Sequence, residues 1–145
     1  MDFAVLDARP LMSGILNELQ AEAATEGVRN VARLRSEWNS GESRFDGDGE
    51  CLLVAESEGH IVGVGGVRAC NAIPGALRVS RFYVHPHWRR AGVATAIATE
   101  CLRRARPFAA VITCNAQASA SAGPFWESLG FEPTQTPGLT HILRR

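Results

Sequence analysis

A strand, a short turn and a helix are predicted in direct succession between residues 77 and 104. Leu77–Val84 contains the β-branched and aromatic residues typical of a strand. From about Gly92 to Arg104, apolar residues recur at the three- and four-residue spacing of an amphipathic helix. The turn between these two elements contains a proline and two arginines. A strand that leads into a helix through so short a turn indicates an α/β domain.

The turn itself predicts an anion-binding site. The first N–H groups of a helix have no partner inside the helix, and Gly92 lets this backbone approach a ligand because it has no Cβ. The small Ala94 keeps the approach open, while Arg89 and Arg90 add charge that a pyrophosphate accepts in bidentate fashion. The alternative is a plain helix-capping turn with exposed arginines. The apolar strand before the turn and the amphipathic helix after it favour a phosphate chain as the ligand.

The rest of the chain shows further strand and helix patterns. The predicted elements are a strand at Phe3–Leu6, helices over residues 11–23 and 26–38, a mobile loop over residues 39–49, a hairpin of Cys51–Ala55 with Ile61–Ala69, a central strand at Ala109–Cys114, a helix over residues 118–129, and a last hairpin of Phe131–Pro133 with Leu139–Leu143. The order β-α-α-β-β-β-α-β-α-β-β predicts a single mixed α/β domain over residues 1–145.

A glycine-rich run, Gly63-Val64-Gly65-Gly66, lies within a predicted strand rather than between a strand and a helix. It therefore predicts a place where another part of the backbone or a ligand packs closely, and not a dinucleotide-binding fingerprint. A P-loop is excluded because its motif requires a lysine, and the chain contains none.

The formal net charge is zero at pH 7, but the charges are unevenly distributed. Residues 1–66 contain 12 acidic residues and 5 arginines, whereas residues 67–145 contain 3 and 10. Such halves could hold an anionic ligand on one side and a cationic ligand on the other, or could merely be solvated faces. No apolar run approaches the ~20 residues of a membrane span, and the N-terminus lacks a signal pattern. We therefore predict a cytoplasmic protein.

The cysteines Cys51, Cys70, Cys101 and Cys114 are scattered, with no Cys-x-x-Cys pair and no histidine at ligand spacing. Buried reduced thiols are therefore predicted, and no metal site. A zinc site or a reactive thiol is the alternative.

Two segments resemble the GNAT superfamily of N-acetyltransferases. The first is Val84-His85-Pro86-His87-Trp88-Arg89-Arg90-Ala91-Gly92-Val93-Ala94, which resembles the family's strand followed by Arg/Gln-x-x-Gly-x-Gly/Ala. The second is Ala122-Gly123-Pro124-Phe125-Trp126-Glu127-Ser128-Leu129-Gly130-Phe131, which resembles the family's closing Ala-x-x-Phe-Tyr-Glu-Lys-Leu-Gly-Phe segment. The resemblance covers roughly residues 50–135 and implies a mixed, mostly antiparallel twisted sheet flanked by helices.

The resemblance implies acetyl-CoA as the cosubstrate and transfer of its acetyl group to a primary amine by direct attack. The pyrophosphate would lie on the N–H groups of residues 89–94. The pantetheine arm would pair with β-strand backbone where the family's fourth and fifth strands splay apart, and an N–H near Val84 would donate to the thioester oxygen. The implied cofactor-binding residues are Phe82, Tyr83, Val84, Arg89, Arg90, Ala91, Gly92, Val93, Ala94, Ser119 and Trp126.

The sequence departs from the family pattern at the positions that transfer protons. Trp126 stands where the family often has a tyrosine that protonates the departing thiolate, and an indole N–H cannot act as an acid at neutral pH. Ser119 replaces a frequent asparagine, and the family's base positions correspond to Arg78 and Ser80. The catalytic residues therefore stay unassigned, with Ser119 and Glu56 as weak candidates. The alternative function is a non-catalytic acyl-CoA-binding or regulatory module.

The family's acceptor site lies beneath the first two helices and the loop between them. In this chain that region carries four carboxylates and a tryptophan: Glu18, Glu22, Glu26, Glu37 and Trp38. They predict a cationic amine acceptor, either a small molecule or a peptide, unless the carboxylates are only solvated helix faces. The arginines form no long stripe interleaved with aromatic residues, so no nucleic-acid partner is predicted, and no membrane partner either. A homodimer is left open.

Overall fold

A computed structural model of the chain describes residues 2–8, 12–117 and 119–145. The strands in these residues are β1 Ala4–Asp7, β2 Cys51–Ser57, β3 His60–Ala69, β4 Leu77–Val84, β5 Val111–Cys114, β6 Glu132–Pro133 and β7 His141–Arg144. The helices are α1 Met12–Ile15, α2 Asn17–Thr25, α3 Asn30–Ser40, α4 Val93–Ala105 and α5 Ala122–Ser128, with a 3-10 turn at Pro86–Trp88. No helix among these is long and apolar enough to cross a membrane.

The described strands form one sheet in the order β1-β2-β3-β4-β5-β7-β6. Neighbouring strands are antiparallel except β4 and β5, which run parallel. The predicted mixed and mostly antiparallel sheet is therefore confirmed, together with the predicted order of its main elements. The expected first residues of two helices, 11 and 118, lie outside the described residues.

Two glycines with positive φ lie within the predicted helices near the N-terminus. The single helix expected over residues 11–23 is divided at Leu16 into α1 and α2, and Gly14 within α1 has a φ of +74°. Gly27 has a φ of +72°, which is incompatible with a right-handed helix. The helix expected over residues 26–38 therefore begins only at Asn30, and residues 26–29 connect α2 to α3.

Helices cover both faces of the sheet. On one face, the predicted apolar stripe of α4 is buried, with all four members in the core: Val93, Ile97, Cys101 and Leu102. On the other face, α2 and α3 pack through Leu19, Val31 and Leu34. Each such side chain contributes roughly 1.5–3 kcal/mol through its burial. This packing holds the start of α4 and the α2–α3 connection against opposite faces of β4.

The four cysteines are all buried, and none of them forms a disulfide, as predicted. The Sγ atoms of Cys51 and Cys101 lie 3.9 Å apart in the core. Burial raises the pKa of the Cys114 thiol to about 12. Cys114 is therefore neutral at physiological pH.

The glycine run in β3 lies under closely packed side chains, as predicted. A Cβ on Gly63 would come within 2.7 Å of Val93 Cγ1 at the start of α4. A Cβ on Gly65 would come within 2.7 Å of the Phe82 ring. The absence of side chains at these two positions thus lets α4 and Phe82 sit directly on β3.

The segment over residues 39–49, predicted as a mobile loop, is anchored by Phe45. The Phe45 side chain is fully buried, and its Cε1 would be 2.9 Å from a Cβ placed on Gly66. The polar composition of the segment conceals this buried aromatic side chain.

Candidate functional site

The parallel strands β4 and β5 pair over two residues and then part. Leu77 lies opposite Ile112 and Arg78 opposite Thr113, whereas β4 runs on to Val84. Beyond Arg78, the described part of β5 does not pair with β4. The remaining edge of β4 is therefore open to an extended ligand, much as a sheet edge receives a peptide. The splay that the family resemblance implies is present here.

A β-bulge bends β4 beside this gap. Gly66 lies opposite Ser80 and Val64 opposite Tyr83, so β4 contains one residue more than β3 at this point. Arg81, within the bulge, has a φ of +63°, which is uncommon for a residue other than glycine. The bulge turns the Arg81 side chain towards α3.

The N-terminus of α4 lies just beyond the end of β4. Its first described backbone bond runs from the Ala96 N–H to the Gly92 carbonyl, and no side chain of the described residues caps the helix. The N–H groups before Ala96 are therefore available to a ligand. Gly92 has a φ of +84°, and a Cβ on it would meet nothing within 4 Å. The space in front of this turn is open.

Arg89 departs from the expectation for the turn. Its N–H donates to the Pro86 carbonyl at 3.3 Å, because the 3-10 turn ends there. Its guanidinium donates to the two Glu26 carboxylate oxygens at 2.6 and 2.9 Å and to the Val84 carbonyl at 3.1 Å. Arg90 is exposed and has a φ of +63°. The Arg89 N–H is therefore occupied, which leaves the N–H groups of residues 90–94 for the predicted anion.

Glu26, Tyr83 and Arg89 form one hydrogen-bonded cluster. The Tyr83 hydroxyl donates to the Glu26 carboxylate, and the Arg89 guanidinium lies 5.6 Å from the centre of the Tyr83 ring. Hydrogen bonds from Arg89 and Tyr83 lower the pKa of Glu26. Burial and the Glu26 carboxylate raise the pKa of Tyr83 far above its ordinary value. At neutral pH, Glu26 is thus a poor base and Tyr83 a poor acid.

The backbone of β4 presents a donor to the gap at Val84. The His85 N–H donates to the Val62 carbonyl on β3 at 2.8 Å. Because hydrogen-bonding directions alternate along an antiparallel strand, the Val84 N–H points away from β3, towards the gap. The Phe82 carbonyl accepts a hydrogen bond from the Asn30 side chain at 3.2 Å. Side chains thus cover the Phe82 and Val84 carbonyls, while the Val84 N–H faces the gap.

Trp126 lies in an aromatic cluster on the same side of the sheet as α4. It is 6% exposed, and its ring meets the Phe82 ring edge-on, with centroids 4.9 Å apart. Phe125 and Phe131 pack against it at 4.9 and 5.3 Å. The structure therefore brings Phe82 and Trp126 together, and the cluster forms an apolar wall beside β4.

The two catalytic candidates lie apart from each other. Ser119 is exposed ahead of α5, with its Oγ 3.1 Å from the Oγ of Ser121. Glu56 lies on β2, which β3 separates from β4, and its carboxylate accepts a hydrogen bond from the Gly59 N–H at 2.8 Å. This contact gives Glu56 a structural role in the β2–β3 turn. A catalytic role for either residue stays a prediction.

The acidic residues of the first helices separate into two groups. Glu26 and Glu37 are bound by arginines next to β4. Glu18 and Glu22 line a cleft of about 370 Å³ beside the β2–β3 turn, where the His85 Nε2 is 3.8 Å from the Glu22 carboxylate. Only the second group has carboxylates that no arginine among the described residues neutralises, and a cationic acceptor stays a prediction.

Two residues beside the gap carry no functional signal in the sequence. Asn30 is one residue of the helix predicted over residues 26–38, and Arg81 is one residue of a strand pattern. The contact of Asn30 with Phe82 depends on the packing of α3, and the direction of Arg81 depends on the bulge. Both contacts depend on segments that are distant in the sequence, so local sequence patterns could not predict them.

Glu37 binds two arginines on the α3 face of the sheet. Arg81 donates to its two oxygens at 3.0 and 2.8 Å, and Arg68 donates at 3.2 Å. The Glu37 side chain is 13% exposed. The hydrogen bonds and charge of Arg81, followed by those of Arg68, lower the pKa of this carboxyl.

We expect Glu37→Gln to lower stability at pH 7 by about 1–3 kcal/mol, because two partly buried arginines lose their counter-charge. Below about pH 4.5, the unfolded wild-type protein binds a proton at Glu37 before the folded protein does. Wild-type stability therefore falls as the pH decreases through the lowered pKa, and Glu37→Gln lacks this loss. Urea unfolding of both proteins from pH 3 to 7 measures the difference. Parallel stability curves would contradict the assignment.

The family description "Acetyltransferase (GNAT) domain" matches residues 16–143 of the chain. Among solved structures, the chain is similar to a protein from Exiguobacterium sp. 255-15 assigned as an acetyltransferase, with 25% identity, 99% of this chain and 94% of that chain covered, and a TM-score of 0.87. The PaiA N-acetyltransferase of Thermoplasma acidophilum, in complex with coenzyme A, shares 13% identity over all of both chains, with a TM-score of 0.66. A GNAT family acetyltransferase of Brucella melitensis, in complex with acetyl-CoA, shares 16% identity over 99% of this chain and 88% of that chain, with a TM-score of 0.69. No match was found among curated proteins.

The two structures below 25% identity establish similarity of fold alone, whereas the family match spans most of the sequence. The splayed strands β4 and β5 and the uncapped start of α4 agree with that match. The chain therefore belongs to the GNAT family of acetyltransferases.

Proposed function

We propose that this protein transfers the acetyl group of acetyl-CoA to a primary amine by direct attack of the amine on the thioester. The observation that carries the proposal is the open gap between β4 and β5, which leads to an uncapped helix N-terminus. The N–H groups of residues 90–94 fit a pyrophosphate, and Gly92 leaves the space in front of them open. The free edge of β4 fits an extended arm that contains amide groups. The coenzyme A and acetyl-CoA complexes of two structural relatives support this cosubstrate.

The residues around the gap orient the reactants and polarise the thioester. Acetyl-CoA, when bound, supplies the activated acetyl group. The Val84 N–H would donate a hydrogen bond to the thioester oxygen, where negative charge develops as the C–N bond forms and the C–S bond breaks. Phe82 and Trp126 would exclude water from one side of the gap. Positioning of this kind accounts for much of the rate enhancement when no group of the protein reacts.

The proton of the attacking amine passes to water in this proposal. Glu26 and Glu37 are held ionised by their arginine partners, which makes them weak bases. The family's base positions are occupied by Arg78 and Ser80. Trp126 has no acidic proton for the departing thiolate, so the thiolate would leave unprotonated.

Thiol release from acetyl-CoA in the presence of a series of primary amines tests the proposal. We expect release that depends on both the amine and the protein, together with coenzyme A binding by calorimetry. Binding of coenzyme A without turnover of any amine would instead favour the non-catalytic acyl-CoA-binding module, which the tryptophan at position 126 supports. The cleft at Glu18 and Glu22 supports a cationic amine as one alternative acceptor. A homodimer and a cytoplasmic location also remain predictions.

A further inference from the structure

Three arginines lie near one another on the α3 side of the sheet. Arg68 on β3 and Arg78 on β4 are directly opposite each other, so their side chains project from the same face. Arg68 and Arg81 both bind Glu37 of α3, so this face is the one that α3 covers. Like charges directly opposite each other on paired strands destabilise the pairing. The Arg68–Arg78 pair therefore requires negative charge nearby.

Glu37 forms ion pairs with two of these arginines, Arg68 and Arg81, and not with Arg78. Among the described residues, no carboxylate lies within ion-pair distance of the Arg78 guanidinium, whereas Arg68 and Arg81 each have Glu37. The Arg78 Nε is buried and has no hydrogen-bond partner in the part of the chain that the structure describes. Burial, and then the charges of Arg68 and Arg81, lower the pKa of Arg78. A buried polar atom without a partner is rare in native proteins, and a bound water or ligand beside it is one explanation.

Arg78 lies where the pairing of β4 with β5 ends. It is the last residue of β4 that pairs with β5, so it marks the closed end of the gap. It also occupies one of the two positions at which the family resemblance led us to look for a catalytic base. Its β5 partner Thr113 is buried and donates its hydroxyl proton towards Leu77 and Cys70, so it brings no negative charge. The nearby Cys114 thiol is neutral because its pKa is about 12.

We propose that the acceptor is an amine that also carries an oxyanion group, a carboxylate or a phosphate, and that Arg78 together with Arg68 binds this group. This inference rests on the proposed acetyl transfer. A guanidinium offers a planar fork of donors that matches the oxygens of either anion. The bound anion would provide the missing counter-charge at the terminal nitrogens of the guanidinium, since the Nε itself is buried. A purely cationic acceptor would meet charges of its own sign at this end of the gap.

Matched amines separate these classes of acceptor. The series is β-alanine with a carboxylate, 2-aminoethyl phosphate with a phosphate, 3-aminopropanol as the neutral amine and 1,3-diaminopropane as the cationic amine. We expect kcat/KM for one of the two anionic amines to exceed that of 3-aminopropanol by about 10- to 100-fold, the range for hydrogen bonds to a charged group. The better of the two anionic amines identifies the anion. Equal or higher kcat/KM for the neutral or cationic amine would overturn the inference.

The variant Arg78→Gln should abolish this preference, mainly by raising KM for the anionic amine. Arg33→Gln removes the same charge from an exposed position on α3 and should retain the preference. Arg78→Lys keeps the charge without the planar fork, and we expect an intermediate KM. Coenzyme A binding reports whether each variant is folded. If Arg78→Gln does not fold, Arg78→Lys takes its place in the comparison. An equal loss of kcat/KM for anionic and neutral amines would show a merely structural role and overturn the inference.

A binding measurement separates this inference from the proposed function. In the absence of acetyl-CoA, β-alanine or 2-aminoethyl phosphate should raise the thermal unfolding midpoint of the wild-type protein, and not that of Arg78→Gln. If no amine is acetylated but this stabilisation is observed, the acyl-transfer proposal fails and the anion site stands. If amines are acetylated and no anionic amine stabilises the protein or is preferred, the anion site fails and the acyl-transfer proposal stands.

Discussion

Replacing Gly92 with glutamate should weaken coenzyme A binding by about 100-fold or more, on the order of 3 kcal/mol. The new carboxylate would lie in the open space in front of the α4 N-terminus and repel the pyrophosphate. It would also occupy the backbone N–H groups that we assign to the phosphate oxygens. A negative residue at a helix N-terminus favours the helix itself, so the fold should persist. Calorimetric titration with coenzyme A measures the change.

The chain offers a matched control in Gly138, which shares the geometry of Gly92. Both glycines have a φ of +84°, and a Cβ on either meets nothing within 4 Å. Any non-glycine residue in this conformation costs roughly 1–2 kcal/mol, so Gly92→Glu and Gly138→Glu should lose similar stability. Only Gly92→Glu should lose coenzyme A binding. Unchanged affinity in Gly92→Glu would show that the pyrophosphate lies elsewhere.

Replacing Gly63 with alanine should destabilise the protein by about 1–3 kcal/mol, as expected for overpacking of a well-filled core. The new Cβ would lie 2.7 Å from Val93 Cγ1, and Val93 is the first residue of α4. Relief of the clash displaces the start of α4, so coenzyme A affinity should fall together with stability. The thermal unfolding midpoint should drop by roughly 2–4 °C per kcal/mol. Gly123→Ala is the control, because its nearest neighbours would be 3.7 Å away.

A double mutant tests whether Val93 causes this effect. Val93→Ala removes the clashing methyl group and leaves a small cavity of its own. If the contact with Val93 is responsible, the double mutant Gly63→Ala/Val93→Ala should lose less stability than the two single mutants lose in total, by about 1 kcal/mol or more. Strict additivity of the two changes would mean that another contact causes the loss.

Local periodicity was sufficient for much of the fold. The apolar stripe of α4 is buried as predicted, because helical spacing places its residues on one face of the helix independently of the other segments. Helix starts were less predictable: Gly27 has positive φ, so α3 begins four residues later than expected. Segment 39–49 was predicted to be a mobile loop because most of its residues are polar. Its Phe45 side chain is nevertheless buried and anchors the segment.

The site was predictable where it depends on adjacent residues. The strand–turn–helix segment places a flexible glycine and unpaired N–H groups together, and the structure has both at residues 90–94. The ion pair of Arg89 with Glu26 was not predictable, because Glu26 lies 63 positions away in the sequence. The Glu26 and Glu37 carboxylates were among the acidic residues from which a cationic acceptor was predicted, and the folded chain pairs both of them with its own arginines.

The sequence by itself determined the turn between β4 and α4, where we propose that the cofactor binds, because the chemistry of a helix N-terminus is set by neighbours in the chain. Only the tertiary structure decided the arginine cluster at which we propose that the acceptor binds. The bulge at Arg81, the register that places Arg68 opposite Arg78, and the reach of Glu37 from α3 are each set by strand pairing and packing between distant segments. The formal charges of the whole chain sum to zero, yet among the described residues the fold leaves Arg78, at the closed end of the gap, without an ion-pair partner.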